Sequence, residues 1–143
     1  VKLLFERCLG EMGRPCNPDE ETYRGLALSD GLFVVCVRED GVLIGFAVMY
    51  VFRSMHDRTL QAQEDVFYLL PEHRRGWTAM RLLRAVEDEV RRRGCVEVNM
   101  QANSTFPAGF ILSARDYAIT SSNYRKTFPR ADSPPSNPGG AVA

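Results

Sequence analysis

Apolar positions follow two rhythms along this chain, one helical and one strand-like. Val1, Leu4, Phe5, Cys8, Leu9 and Met12 recur at helical spacing and predict an amphipathic first helix, which Gly13, Pro15 and Pro18 end. Asp19 to Leu28 predicts a second, shorter helix with acidic residues in its first turn. Leu32–Val37 and Val42–Phe52 are apolar, β-branched runs with Asp40-Gly41 between them, which predicts a hairpin. Ser54–Thr59 is a polar connection. Gln61–Leu70 is the next strand, and Pro71 stops it.

Thr78–Arg93 carries the clearest helical pattern. Ala79, Leu82, Leu83, Val86 and Val90 line one face. Arg84–Asp88, Glu87–Arg91 and Glu89–Arg93 are opposite charges four apart, predicted on the exposed side. Arg91, Arg92 and Arg93 suit the negative end of the helix dipole, and Gly94 suits the C-terminal cap. Val96, Val98 and Met100 then alternate with polar residues, so a strand follows. Strand, helix and strand over Gln61–Gln101 imply a right-handed crossover with two parallel strands. Pro107–Ala114 reads as a last short helix and Tyr117–Phe128 as a final strand or pair of strands. The predicted domain is residues 1–128. Residues 129–143, rich in proline and glycine, are expected to form a disordered tail.

The segment Leu69-Leu70-Pro71-Glu72-His73-Arg74-Arg75-Gly76-Trp77-Thr78-Ala79 ends a strand, turns, and starts the long helix. Free N–H groups at such a helix start attract an anion. Arg74 and Arg75 add positive charge, while Gly76 and Ala79 let a ligand approach the backbone closely. Alone, this pattern describes a pyrophosphate cradle or any strand-turn-helix with two arginines. The wording Pro71-Glu72-His73-Arg74, the small Ala79 and the pair Leu82-Leu83 resemble the CoA-binding motif of GNAT acetyltransferases. The chain departs from that motif at Trp77, where the family usually has its first glycine. The order of elements also resembles the family over Val1 to Phe128, save a first strand. Because the chain starts at Val1 rather than Met, that strand is expected upstream.

The resemblance implies an α+β fold with α/β/α layers around a mixed central sheet, in which one parallel strand pair splays apart. It implies acetyl-CoA, or another acyl-CoA, as co-substrate and a small-molecule or peptide amine as acceptor. The pantetheine arm would lie in the split and bond to the backbone of Leu69 and Leu70. The pyrophosphate would lie on Arg74, Arg75, Gly76, Trp77, Thr78 and Ala79. Asn103 and Ser104 either touch the pantetheine or the acyl carbonyl, or simply form a turn.

Acyl transfer to an amine needs a base for the ammonium, a stabilised carbonyl oxygen and a proton for the leaving thiolate. Glu64 and Asp65 are the carboxylates on the central strand. Strict alternation groups Asp65 with Phe67 and Leu69, and Glu64 with Val66 and Tyr68, so one of the two should face the cleft. Asp65 is the preferred base, and a surface ion pair is the alternative. Leu112 stands where the resemblance implies a tyrosine acid, five residues before the closing aromatic Tyr117. Ser113, Tyr68, Tyr117, Tyr124 and solvent are the remaining donors.

Composition narrows the reading from outside. The chain has 143 residues, 45% of them hydrophobic, with eighteen basic and eighteen acidic side chains, which suits one domain and argues against nucleic acid as partner. No apolar run reaches the roughly 18 residues that span a bilayer, so no membrane association is expected. Cys8, Cys16, Cys36 and Cys95 form no CxxC pair and lie near neither histidine, so no metal is expected. Cys36 and Cys95 read as small core residues in a reduced, cytoplasmic setting. A homodimer is compatible with all of this. No Gly-Lys-Ser/Thr or GxGxxG exists to support a nucleotide fold. The competing functional reading is a non-catalytic GNAT-like module that binds CoA or another protein.

Overall fold

A computed structural model describes residues 1–74, 76–102, 109–121, 126 and 128. Helix α1 (Lys2–Glu11) and helix α2 (Glu20–Leu28) come first, and the Asp19 carboxylate caps α2 by accepting from the Thr22 N–H at 3.0 Å. Strands β1 (Leu32–Glu39) and β2 (Val42–Arg53) form the predicted hairpin. Asp40 and Gly41 hold φ of 48° and 82°, the left-handed pair that a two-residue turn requires. Strand β3 (Leu60–Leu69) pairs antiparallel with β2, and a 3-10 turn over Pro71–His73 leads to helix α3 (Thr78–Arg92). Strand β4 (Glu97–Asn99) pairs parallel with β3, and helix α4 (Gly109–Ser113) follows. The sheet order is β1-β2-β3-β4, a mixed sheet as expected.

Each sheet face is covered by its own helices. Phe46, Val48, Val66 and Tyr68 pack with Cys8 of α1, and Tyr23 of α2 rests against them. Ala47, Met49, Ala62 and Leu69 pack with Ala79, Leu82, Val86 and Val90 of α3. All five apolar positions predicted on α3 are buried. Gly45 leaves no room for a side chain against β3, since a Cβ there would stand 2.3 Å from Leu69 Cδ2 and 2.7 Å from the Tyr68 carbonyl oxygen. Gly45→Ala should therefore destabilise the fold by roughly 1–3 kcal/mol. A urea midpoint equal to that of the wild type would contradict this.

Four expectations need correction. Glu87 is not on an exposed face. It is 7% exposed and held by Arg91 and Arg115, because the segment after α4 packs back over this part of α3. Cys36 is exposed rather than core: on its face of β1 the buried cluster takes in Leu32, while Val34 and Cys36 beyond it are exposed. Tyr117–Ser121 form no strand. Asp116, at φ 61°, turns the chain out of α4, and Ala118–Ser121 stay exposed. The fourth correction is the β3 alternation, treated with the site. Ser122–Arg125, Thr127 and 129–143 lie outside the described residues.

Candidate active site

The parallel pairing of β3 with β4 covers Gln61↔Glu97, Ala62↔Val98 and Gln63↔Asn99 and then stops, while β3 runs on to Leu69. The pairing ends where β3 carries an irregularity. Val66 sits opposite Val48 and Glu64 opposite Met49, so Asp65 is an extra residue without a partner on β2. Such a bulge bends its strand and sharpens its twist. It also inverts the expected faces. Directly opposed residues share a face, so Glu64 lies with Met49 on the α3 side. Asp65 lies on the α2 side, where the Tyr23 hydroxyl donates to its carboxylate at 2.6 Å. The alternation predicted for Glu64 and Asp65 was thus reversed by one inserted residue.

Both carboxylates line one cleft of about 1620 Å³ that follows the split. Met100, Gln101, Leu112 and Tyr117 contribute to its other wall. Glu64 lies at the fork. Its carboxylate accepts the backbone N–H of Gln101 at 2.8 Å, bridging the strands just past their last ladder pair. Burial pushes the Glu64 carboxyl up to about 7, the Gln101 N–H opposes this, and the neighbouring Asp65 charge adds to it. The Tyr117 hydroxyl is buried with no hydrogen-bond partner among the described residues, and burial with the nearby Glu87 raises it to about 12. A buried hydroxyl of this kind needs an acceptor, which the adjacent Glu87 or a ligand in the cleft can supply.

The loop above the split is organised differently from the simple cradle. Leu70 donates its N–H to Ile44 and accepts from His73, both at 2.9 Å. Alternation then turns the Leu69 N–H and C=O toward the split, as a pantetheine contact requires. Arg74 donates to the Leu69 carbonyl at 2.9 Å, pairs with Glu11 at 2.6 Å, and lies 5.4 Å from the Tyr68 ring centre. It is thus built into the wall between α1 and β3. The Tyr68 hydroxyl also donates to Glu11, at 2.5 Å, which removes it from the cleft donors. Gly76 has φ 86°. Trp77 precedes the first turn of α3, makes no capping side-chain bond and is 77% exposed. Thr78 and Ala79 begin the helix, so their N–H groups are open to an anion, with no acidic residue in that turn. Arg75, Asn103 and Ser104 lie outside the described residues. Among the described residues no three potential ligands gather for a metal, and no helix is long and apolar enough to cross a membrane.

The model of the acetyltransferase (GNAT) family matches residues 3–110. The chain belongs to that family. Solved structures carry the same fold. An aminoglycoside acetyltransferase from an uncultured soil metagenomic sample superposes on this GNAT chain with a TM-score of 0.73 at 17% identity, over 90% of this chain and 88% of that one. Ribosomal-protein-alanine N-acetyltransferase from Brucella melitensis biovar Abortus 2308 gives 0.69 at 22%, over 90% and 89%. A predicted acetyltransferase from Clostridium acetobutylicum, solved with acetyl-CoA, gives 0.70 at 14%, over 88% and 86%. No curated protein matches significantly. The splayed pair, the mixed sheet and the helices on both faces are therefore those of a GNAT fold. Sequence reasoning missed the bulge. The run Gln63-Glu64-Asp65, three polar residues in a row where alternation would place an apolar one, was its visible trace, since an extra residue there is what a bulge accommodates.

Proposed function

We propose that this chain transfers an acetyl or other acyl group from acyl-CoA directly to an amine, with Glu64 as general base. The observation that supports this reading best is the fork itself. A carboxylate with its pKa near 7 stands where two parallel strands part, at one end of an open strand edge whose other end meets a helix N-terminus. The distance suits the cofactor. From Leu69 back to Asp65 is roughly 13 Å at about 3.3 Å per residue, a span for an extended pantetheine arm. The thioester would then reach the bulge, where an unpaired backbone group is available to its carbonyl oxygen. Acyl-CoA would supply the activated acyl group; the chain supplies orientation and proton transfer. A base near 7 is about half ionised at neutral pH and can take a proton from an ammonium acceptor.

Tyr117 is the donor best placed for the leaving thiolate. Ala79, in the first turn of α3, shares a core cluster with Leu69. Glu87 lies about 12 Å further along α3 at 1.5 Å per residue, close to the level of Asp65 on β3. Tyr117 stands beside Glu87 in the same cleft. Acceptors acted on by relatives, such as aminoglycosides, support an amine acceptor here without fixing which one.

Acetyl-CoA at 100 times its dissociation constant should raise the stability by about 2.7 kcal/mol and lift the melting temperature accordingly. Released CoA thiol, followed across an amine library, then separates an enzyme from a module that only binds CoA. An unchanged melting temperature with acetyl-CoA and with longer acyl-CoAs would remove the cofactor from this reading.

A further inference from the structure

Among the described residues, Glu87 is the one charged side chain that is buried, at 7% exposure on α3. Burying a carboxylate is costly unless it is paired, and an apolar side chain would fill the same space, so its partners must explain it. Arg115 meets it with two donors, Nε to Oε1 at 3.2 Å and Nη2 to Oε2. That planar fork fixes orientation as well as distance. Arg91, one turn further along α3, adds a longer contact at 3.4 Å.

Little else holds the segment that carries Arg115. Helix α4 has no buried residue, Phe110 is largely exposed, and Ile111 packs against the α3-side core only in part. Among the described residues, the side-chain hydrogen bonds and ion pairs that tie residues 109–121 to the rest of the chain all end on Glu87. The turn after α4 is compact. Arg115 and Tyr117 both donate their backbone N–H to the Leu112 carbonyl, at 3.0 and 3.1 Å, and Asp116 between them donates to Ser113 at 3.2 Å. Fixing the Arg115 side chain therefore fixes Tyr117 two residues later, and both line the cleft.

We infer that Glu87 is a positioning residue that acts through Arg115: its two-point pairing clasps the 115–117 turn to α3 and so holds the Tyr117 hydroxyl in the cleft. The effect on rate rests on Tyr117 being the proton donor proposed above; the effect on the segment does not.

The test uses Arg115→Met in the full chain, which keeps the stem and removes the fork. Glu87 keeps Arg91, so no buried charge is left alone and α3 should stay folded. Followed by mass spectrometry, amide hydrogens of residues 109–121 should exchange about tenfold faster than in the wild type, with α3 unchanged. Glu87→Gln, which leaves Arg115 without its anion, should do the same. In Arg115→Met kcat should fall roughly 10–100-fold, since a misplacement of about 1 Å can cost that much, while acetyl-CoA affinity holds. Arg115→Lys should recover part of the rate, and in a Tyr117→Phe background Arg115→Met should cost little more. Arg92→Ala, which breaks an exposed pair on the same helix, should change neither exchange nor rate. Unchanged exchange in Arg115→Met and Glu87→Gln overturns the clasp. A rate loss that multiplies in full with that of Tyr117→Phe overturns positioning through Tyr117. Normal turnover in Tyr117→Phe would remove the donor from the proposed function, and the exchange result would still decide whether Glu87 holds the turn.

Discussion

Glu64→Gln should lower turnover about 10²–10⁴-fold, the usual loss when a positioned base is removed. Acetyl-CoA affinity should stay nearly intact, because the pyrophosphate loop lies at the other end of the β3 edge. The pH dependence carries the sharper signal. In the wild type, kcat/KM should climb through about pH 7 as Glu64 ionises. In Glu64→Gln that limb should vanish. The loss should also shrink at high pH, where more of the amine is already free of its proton. Stability should move the other way. The folded-state pKa of Glu64 lies above its unfolded value, so its protonated form is the one the fold favours. The contribution is fully present below the unfolded value near 4.5 and lost as pH rises through about 7. Glutamine mimics the protonated group, so Glu64→Gln should be more stable than wild type above pH 7, by roughly 1–3 kcal/mol, and no more stable near pH 4. A variant that is equally active and equally stable at pH 8 would show that the fork carboxylate neither reacts nor suffers from burial.

Much of this architecture was legible because each helix and strand announces itself locally. Ala79, Leu82, Leu83, Val86 and Val90 specify which face of α3 is buried, and Asp40-Gly41 specifies the hairpin turn without reference to anything distant. The parallel pairing followed from strand-helix-strand order alone. What stayed hidden depends on contacts between segments far apart. Nothing in the basic turn around Arg74 shows that its side chain reaches Glu11, 63 residues earlier. Glu87 looked like half of a surface pair because Arg91 is one turn away. Arg115, 28 residues later, brings the chain over it and buries it. Cys36 sits in an apolar run, but whether a helix covers that strand edge is a tertiary fact. The bulge is the most instructive case, since a period-two pattern has no way to register one extra residue until the partner strand is known. Reading β3 with strict alternation put both carboxylates on the wrong faces.

Deletion of Asp65 should leave a folded protein that no longer holds acyl-CoA. Above the bulge, β3 runs in register from Gly45↔Leu69 to Val48↔Val66; below it, from Met49↔Glu64 to Arg53↔Leu60. Without Asp65 the two stretches join into one register. Glu64 would remain with Met49 on the α3 face and Val66 with Val48 on the α1 and α2 face. No core side chain changes sides, so burial is conserved and the fold should survive. A single-residue deletion inside a central strand would ordinarily flip every residue beyond it to the opposite face. The expected cost here is instead modest, and the main local loss is the hydrogen bond from Tyr23, worth about 0.5–1.5 kcal/mol, or more because its acceptor is charged. The consequence for function should be large. The bulge is what bends β3 where β4 leaves it, so a regular β3 should stay closer to β4 past Asn99 and narrow the cleft. Acetyl-CoA should then no longer raise the melting temperature of the deletion variant, although far-UV circular dichroism and a cooperative melt remain. Deleting Phe67 provides the control. That change keeps the bulge but shifts the Leu69 end of β3 to the opposite face, and should unfold the chain. If the Asp65 deletion binds acetyl-CoA as the wild type does, the split does not depend on the bulge. If it fails to fold while the Phe67 deletion folds, the register derived for β2 and β3 is wrong.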